Sequence, residues 1–314
     1  MNLRSMPRPL LLTSALWPAT LADSPLVVVD GGSRGRLFAP LDRVPADRLR
    51  VARFDPEPAV TVEARATDLP FLAGLWQDAT AQTLHVAREP STSSIYPPDE
   101  RVLRQYQDRI GWPPRATVSR PTVPCVSIDA AFREAGLPGP DFIKLDIHSA
   151  EYEALIGAET ALRETAVACL VEAWPMPIHR GQHTAAECEV LLNRAGFVLF
   201  EHQERHAWPR QGGAGYSKPQ LVCLESLYFR DVLGTPELAT WPAARLLKAV
   251  ALADLYGHID YALQLLDAGR DAATLDGATH RAWADFLRAA NPRSRVRTVL
   301  EKLLTKLTIA VREY

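Results

Sequence analysis

Lys144, Asp146, His148 and Glu151 crowd the short run Phe142-Ile-Lys-Leu-Asp-Ile-His-Ser-Ala-Glu151. An ammonium, two carboxylates and an imidazole at the end of an apolar segment are the groups of proton transfer and charge stabilisation. Phe142, Ile143, Leu145 and Ile147 predict a strand, whose two-residue period sends Lys144 and Asp146 from the same face. Tyr152, Leu155 and Ile156 then repeat at helical spacing. The run is therefore a strand passing into a helix, the junction at which open α/β sheets bind ligands. A buried Lys144–Asp146 ion pair that only ties down the strand edge explains the same residues, and the run alone does not choose between the two.

Three further strand ends carry polar groups. Leu26-Val-Val-Val-Asp30 is a continuous apolar run, as in a strand buried on both faces, and it enters the turn Asp30-Gly-Gly-Ser-Arg-Gly35. Glycines there permit tight turning and a close approach of backbone N–H groups to a ligand. Leu49-Arg-Val-Ala-Arg-Phe-Asp55 ends on Asp55, the place at which nucleotide-binding α/β folds put a carboxylate on ribose hydroxyls. Val167 to Glu172 ends on Glu172. No clean G-x-G-x-x-G is present, and Pro40 and Pro45 oppose a helix starting at Gly35. S-adenosylmethionine is therefore a better nucleotide for this turn than a nicotinamide dinucleotide.

Strand and helix signals alternate from Leu26 to about Arg230, which predicts an α/β fold with a mostly parallel sheet under helices. Short β-rich pieces at Gln82–Val86 and Cys125–Ile128 predict a peripheral insertion. A helix is expected over Tyr152–Leu162 and another over Ala185–Arg194, stopped by Gly196. Phe197–Glu201 and Leu221–Phe229 are expected to close the sheet, as an antiparallel pair. After Thr235 only helical periodicity remains, at Leu246–Leu255, Tyr261–Leu266, Trp283–Leu287 and Val299–Ile309. The expected organisation is one domain over 1–234, with an N-terminal lead-in, and a helical module over 235–314 that serves packing or oligomerisation.

The 314 residues are 47% hydrophobic and 23% charged, as in a soluble globular protein, with a formal net charge of −2. Such a charge provides no general field for nucleic acid or an anionic membrane, so neither is expected as a partner. Cys125, Cys169, Cys188 and Cys223 are scattered without a C-x-x-C pair. They read as reduced core residues of a cytoplasmic protein, with no metal site and no disulfide framework. Arg4 and Arg8 before Pro9-Leu-Leu-Leu-Thr-Ser-Ala-Leu-Trp17 resemble a weak signal peptide, but Pro9 and Pro18 break the stretch and no small-x-small site follows. A lead-in helix packed on the domain is the expectation.

Taken together, the motifs resemble the FkbM-type S-adenosylmethionine-dependent methyltransferases. Asp30-Gly-Gly-Ser-Arg-Gly35 is similar to that family's D-x-G-A-x-x-G turn, with Ser33 for alanine. Phe54-Asp-Pro-Glu-Pro58 is similar to F-E-P-x-P, with Asp55 in place of the ribose-binding glutamate. Ser93-Ser94 and Tyr96-Pro97 resemble a downstream Ser-rich turn. Asp141 to Ala158 resembles D-x-x-K-x-D-x-x-G-x-E followed by L-x-G-A. Val171-Glu172, Arg180-Gly-Gln182, Ala195-Gly-Phe197 and Tyr228-Phe-Arg-Asp231 continue the match in order. The departures are His148, where the family carries Glu or Gln, and Ser149, where it carries glycine.

The resemblance implies a Rossmann-like methyltransferase sheet, S-adenosylmethionine as cofactor, and O-methylation of a small-molecule or glycan acceptor. It puts Asp30, Gly32, Ser33, Gly35 and Asp55 at the cofactor, and Lys144, Asp146, His148 and Glu172 at the chemistry. His148, with an ordinary pKa near neutrality, is the natural base if it reaches the pocket. Asp146 orients it or the acceptor, and Lys144 holds Asp146 or a developing alkoxide. Glu151 suits the helix start. His179 and His183 read as surface polar residues, and Trp174 and Met176 as core. A second reading keeps the fold as a cofactor-binding or scaffold module without transfer, on the departures at His148 and Ser149.

Overall fold

The computed structural model of the protein describes residues 9–21, 24–33, 35–57, 66–213 and 216–291. After a 3-10 turn at Leu11–Thr13 come α1 (Leu16–Leu21), β1 (Leu26–Gly31), β2 (Leu49–Phe54) and β3 (Leu69–Phe71). An insertion follows with β4 (Gly74–Leu75), β5 (Gln82–Thr83), β6 (Val86–Ala87), α2 (Glu100–Leu103), β7 (Thr117–Ser119), β8 (Thr122–Val123) and β9 (Cys125–Val126). Then come α3 (Ile128–Glu134), β10 (Phe142–Leu145), α4 (Glu151–Ile156), α5 (Glu159–Glu164), β11 (Ala168–Ala173), α6 (Ala185–Arg194), β12 (Phe197–Trp208) and β13 (Gln220–Arg230). The helices α7 (Ala243–Leu255), α8 (Ile259–Asp271) and α9 (Gly277–Ala290) close the described chain.

Seven strands form one sheet in the order β12-β13-β11-β10-β1-β2-β3. The five from β11 to β3 are parallel, and β13 runs antiparallel to both β11 and β12. The carboxyl ends of β2, β1, β10 and β11 thus share one edge. Alternation along β1 divides its side chains between two cores, Leu26 and Val28 into one, Val27 and Val29 into the other. The second of these holds α3 to α6. The first holds Leu11 and Trp17 together with Leu246, Leu247 and Val250 of α7 and Trp283 of α9.

Helix α7 is therefore one cover of the sheet. A fully buried leucine contributes about 1.5–3 kcal/mol, and Leu246, Val250 and Leu252 are all inaccessible to solvent. Lys248 Nζ adds a buried ion pair with Asp141 Oδ2 at 2.8 Å, and the same oxygen accepts from Val27 N at 2.8 Å. Residues on either side of 234 share one core. The lead-in is tied down likewise, Leu11 N donating to Asp254 Oδ2 at 2.8 Å and Trp283 Nε1 to Thr20 Oγ1 at 3.2 Å.

Several expected elements change. The single helix over Tyr152–Leu162 is two, α4 and α5, with Gly157 at the break, where a β-carbon would stand 2.4 Å from Trp76 O. Ile128 belongs to a helix, because Ser127 Oγ caps it by accepting from Ala130 N at 3.2 Å. The segment expected over Gln82–Val86 splits between β5 and β6. Strand β12 runs on to Trp208, and β10 stops at Leu145, so Asp146 lies in the following turn. Helix α6 has the expected bounds, and Gly196 after it takes a φ of 86°. The four cysteines are buried and unpaired. Arg4, Arg8, Pro58 and Val299–Ile309 lie outside the described residues.

Candidate active site

Asp30 and Lys144 are register partners on β1 and β10, both buried, and Lys144 Nζ stands 3.5 Å from Asp30 Oδ1. The ammonium also lies 3.4 Å from Asp146 Oδ2 and from the Gly31 carbonyl, and 5.5 Å from the centroid of the Phe38 ring. Burial works against the charged lysine, but Asp146 and Asp30 outweigh it and lift its pKa. Asp30 Oδ2 accepts from Ser33 Oγ at 2.6 Å, which in turn accepts from Arg53 Nε at 2.6 Å. Arg53 also pairs with Asp68 and donates to the Gly35 carbonyl.

The glycine turn is held from inside. Gly32 N and Ser33 N both donate to Phe54 O, at 3.0 and 3.2 Å. Gly32 has a φ of 76°, and a β-carbon there would fall 1.9 Å from Asp146 O. Gly35, with a φ of 71°, has open space around it and does not line the cavity.

Asp146, His148 and Glu172 converge beyond the ends of β10 and β11. Their ligand atoms lie within 4.8 Å of one another, and His148 Nδ1 is 3.5 Å from Glu172 Oε2. Burial would lift Asp146, but Lys144 and then His148 outweigh it and hold the acid below its ordinary range. Glu172 goes the other way: burial first, then the charge of Asp146, raise it well above the usual carboxylate range. The two acids are thus driven apart, Asp146 towards the ionised form and Glu172 towards holding its proton more tightly. Burial also pushes His148 below 6.5, Asp146 opposing in part, so its imidazole is neutral. The sequence placed that titration near neutrality; desolvation moves it down.

The turn that aims His148 is strained. His148 and Ser149 have φ values of 53° and 95°, where residues other than glycine pay about 1–2 kcal/mol each. Glu151 offsets this, accepting from Ile147 N at 2.9 Å and Ser149 N at 2.8 Å, so its role is to hold the helix start. Ser94 Oγ donates to His148 O at 2.5 Å, bringing the Ser-rich turn of the insertion onto this loop. Ser149 Oγ pairs with His179 Nδ1 at 2.7 Å. His179 is thus a buried partner and not the surface residue expected, and burial drives its pKa to about 3. His183 is half-exposed and stacks on Tyr152.

A cavity of about 560 Å³ joins these groups. Asp55 lines it from the end of β2, where its Oδ1 accepts from Glu57 N at 2.9 Å. Phe54, Leu75, Leu84 and Ile95 form an apolar wall, and Pro90 to Ser93 face it from the insertion. Four adjacent strand ends span about 14 Å at the usual strand spacing, with Asp55 on β2 and Glu172 on β11 at the extremes. Trp174 belongs to a separate core with Trp208 and does not line the cavity. Glu204 and His206 do line it, and both lie on the part of β12 that the sequence reading left out.

These features define a Rossmann-like α/β protein with a polar-lined ligand cavity at a parallel sheet's carboxyl edge. Residues 37–199, more than half of the chain, match the Methyltransferase FkbM domain, and the chain belongs to that family. The solved structure of a methyltransferase FkbM from Methylobacillus flagellatus KT is 17% identical, with a TM-score of 0.35. That match covers 66% of this chain and 44% of the other, so the chain spans less than half of that protein's length. No curated protein matches. Among the described residues no helix is long and apolar enough to cross a membrane.

Proposed function

We propose that the protein is an S-adenosylmethionine-dependent methyltransferase that methylates a hydroxyl of a small-molecule or glycan acceptor. The observation that carries this is the row of strand ends in one cavity, Asp55 at one side and the Asp146–His148–Glu172 group at the other. The residues fit the cofactor. Gly32 leaves no room for a side chain beside Asp146, Asp55 opens to the cavity, and the apolar wall suits a nucleoside base. When bound, the cofactor supplies an electrophilic methyl group on a sulfonium.

The chain's own residues bind, orient and deprotonate. Asp55 takes the ribose hydroxyls, and Asp30, Gly32, Ser33 and Gly35 shape the turn beside them. Lys144 neutralises Asp30 and Asp146 and lends positive charge to an oxygen losing its proton. Asp146, held ionised by Lys144, and neutral His148 are the groups there placed to accept a hydroxyl proton.

The reading extends to setting and partners. Four buried, unpaired cysteines favour the cytoplasm, and the net charge of −2 speaks against nucleic acid or an anionic membrane as partner. The C-terminal helices are the surface for self-association. Calorimetric titration with S-adenosylhomocysteine tests the cofactor: one-to-one binding is expected, and no heat at millimolar ligand with folded protein would overturn it. Radiolabelled donor with a panel of hydroxylated acceptors then tests O-methylation.

A further inference from the structure

We infer that Asp146, His148 and Glu172 form a binding site for one divalent metal ion, an inference that rests on the same cavity and names what holds the acceptor oxygen in it. Two carboxylates and one imidazole offer three donor atoms within 4.8 Å of one another. Donors around a single small divalent ion stand about 3–4 Å apart, so modest side-chain movement closes the set. The donors come from two supports: the turn after β10, which carries Asp146 and the left-handed His148, and the end of β11.

Glu172 gives the second, separate observation. Its Oε2 is wholly buried yet accepts no hydrogen bond, and it lies on the His148 side, 3.5 Å from Nδ1. A buried carboxylate oxygen without a partner is costly unless a cation or donor meets it. Among the described residues no lysine or arginine stands within ion-pair distance of Glu172, and the buried Arg115 acts on it only from further away. Lys144 does not fill the role, because it is divided between Asp30 and Asp146 and reaches Asp146 through Oδ2.

The donor set selects the ion. Carboxylate oxygens suit hard cations, and the imidazole nitrogen shifts preference towards Mn²⁺, Fe²⁺ or Zn²⁺ over Mg²⁺. Three protein donors leave coordination positions open, and all three residues line the cavity. An acceptor hydroxyl bound at an open position becomes more acidic, which is the requirement for attack at neutral pH. His148 then serves as a ligand, and its unprotonated state is needed for that as it is for a base.

Mn²⁺ is the probe. The full chain is titrated with Mn²⁺ and free ion is followed by its electron paramagnetic resonance signal, with and without S-adenosylhomocysteine. One sequestered ion per chain is expected, displaceable by Zn²⁺, with nitrogen hyperfine coupling in the spin echo of the wild-type protein. His148→Gln should abolish that coupling, and Asp146→Asn should weaken binding roughly tenfold or more. The wild-type echo keeps the test decisive if a variant does not fold. Folded protein that sequesters no Mn²⁺ in either condition, or a bound ion without nitrogen coupling, overturns the site. S-adenosylhomocysteine binding in the same samples separates this outcome from failure of the methyltransferase reading.

Discussion

Gly32 and Asp146 touch backbone to backbone: a β-carbon on residue 32 would lie 1.9 Å from the Asp146 carbonyl oxygen. The turn after β1 and the turn after β10 therefore lock each other, and the first sets the position of the second. Gly32→Ala adds a backbone clash to a φ of 76° and should cost about 4 kcal/mol or more of stability. Gly35→Ala meets no atom and should cost only about 1–2 kcal/mol. Urea denaturation of the two variants checks the contrast, and equal losses would show that the contact is not what demands glycine.

Asp55→Ala removes the carboxylate at the end of β2 and should weaken S-adenosylhomocysteine binding by about 1.5–3 kcal/mol, the scale of a hydrogen bond to a charged group. The Asx turn to Glu57 N goes with it, so thermal unfolding is followed alongside binding to separate the two effects. Calorimetry reads both effects, and an unchanged affinity takes the ribose away from Asp55.

His148→Ala should reduce turnover about 10²–10⁴-fold while cofactor affinity holds. Activity requires the neutral ring, and burial puts its titration below 6.5. The wild-type rate should therefore rise with pH through an inflection below 6.5 and be flat at neutrality. The same inflection must be missing in the variant. A rate that still climbs above pH 7 assigns the titration to another group.

His179 is buried neutral, its pKa driven from 6.5 to about 3 chiefly by desolvation. Below 6.5 the unfolded chain takes up a proton that the folded one refuses, so this residue's contribution is present above 6.5 and is lost progressively towards 3. His179→Gln should flatten that acid-side decline. Unfolding free energy measured from about pH 8 to about pH 4 decides it, and parallel curves for the two proteins would sink the assignment.

The parallel strands were legible because burial on both faces demands unbroken apolar runs, and Leu26–Val29 and Val167–Val171 are such runs. Helix α6 was legible to the residue, since apolar spacing and Gly196 marked its limits. The extension of β12 was not, because residues 203–206 project past the core and carry no apolar signature. The break at Gly157 was hidden too, being imposed by Trp76 from the insertion.

For the site, the sequence by itself determined which chemical groups stand at strand ends, since residue type and the two-residue period are local properties. Lys144, Asp146, Glu172 and Asp55 could be named on that basis. Only tertiary structure decided their charge states and company. Lys144 and His148 hold Asp146 down against burial, whereas burial and the charge of Asp146 on the neighbouring strand end raise Glu172. His148 reaches them because Ser94, Glu151 and the Ser149–His179 pair hold a left-handed turn, and those contacts span up to 54 residues of chain. Local preference alone would leave that turn to glycine; long-range hydrogen bonds let a histidine and a serine occupy it.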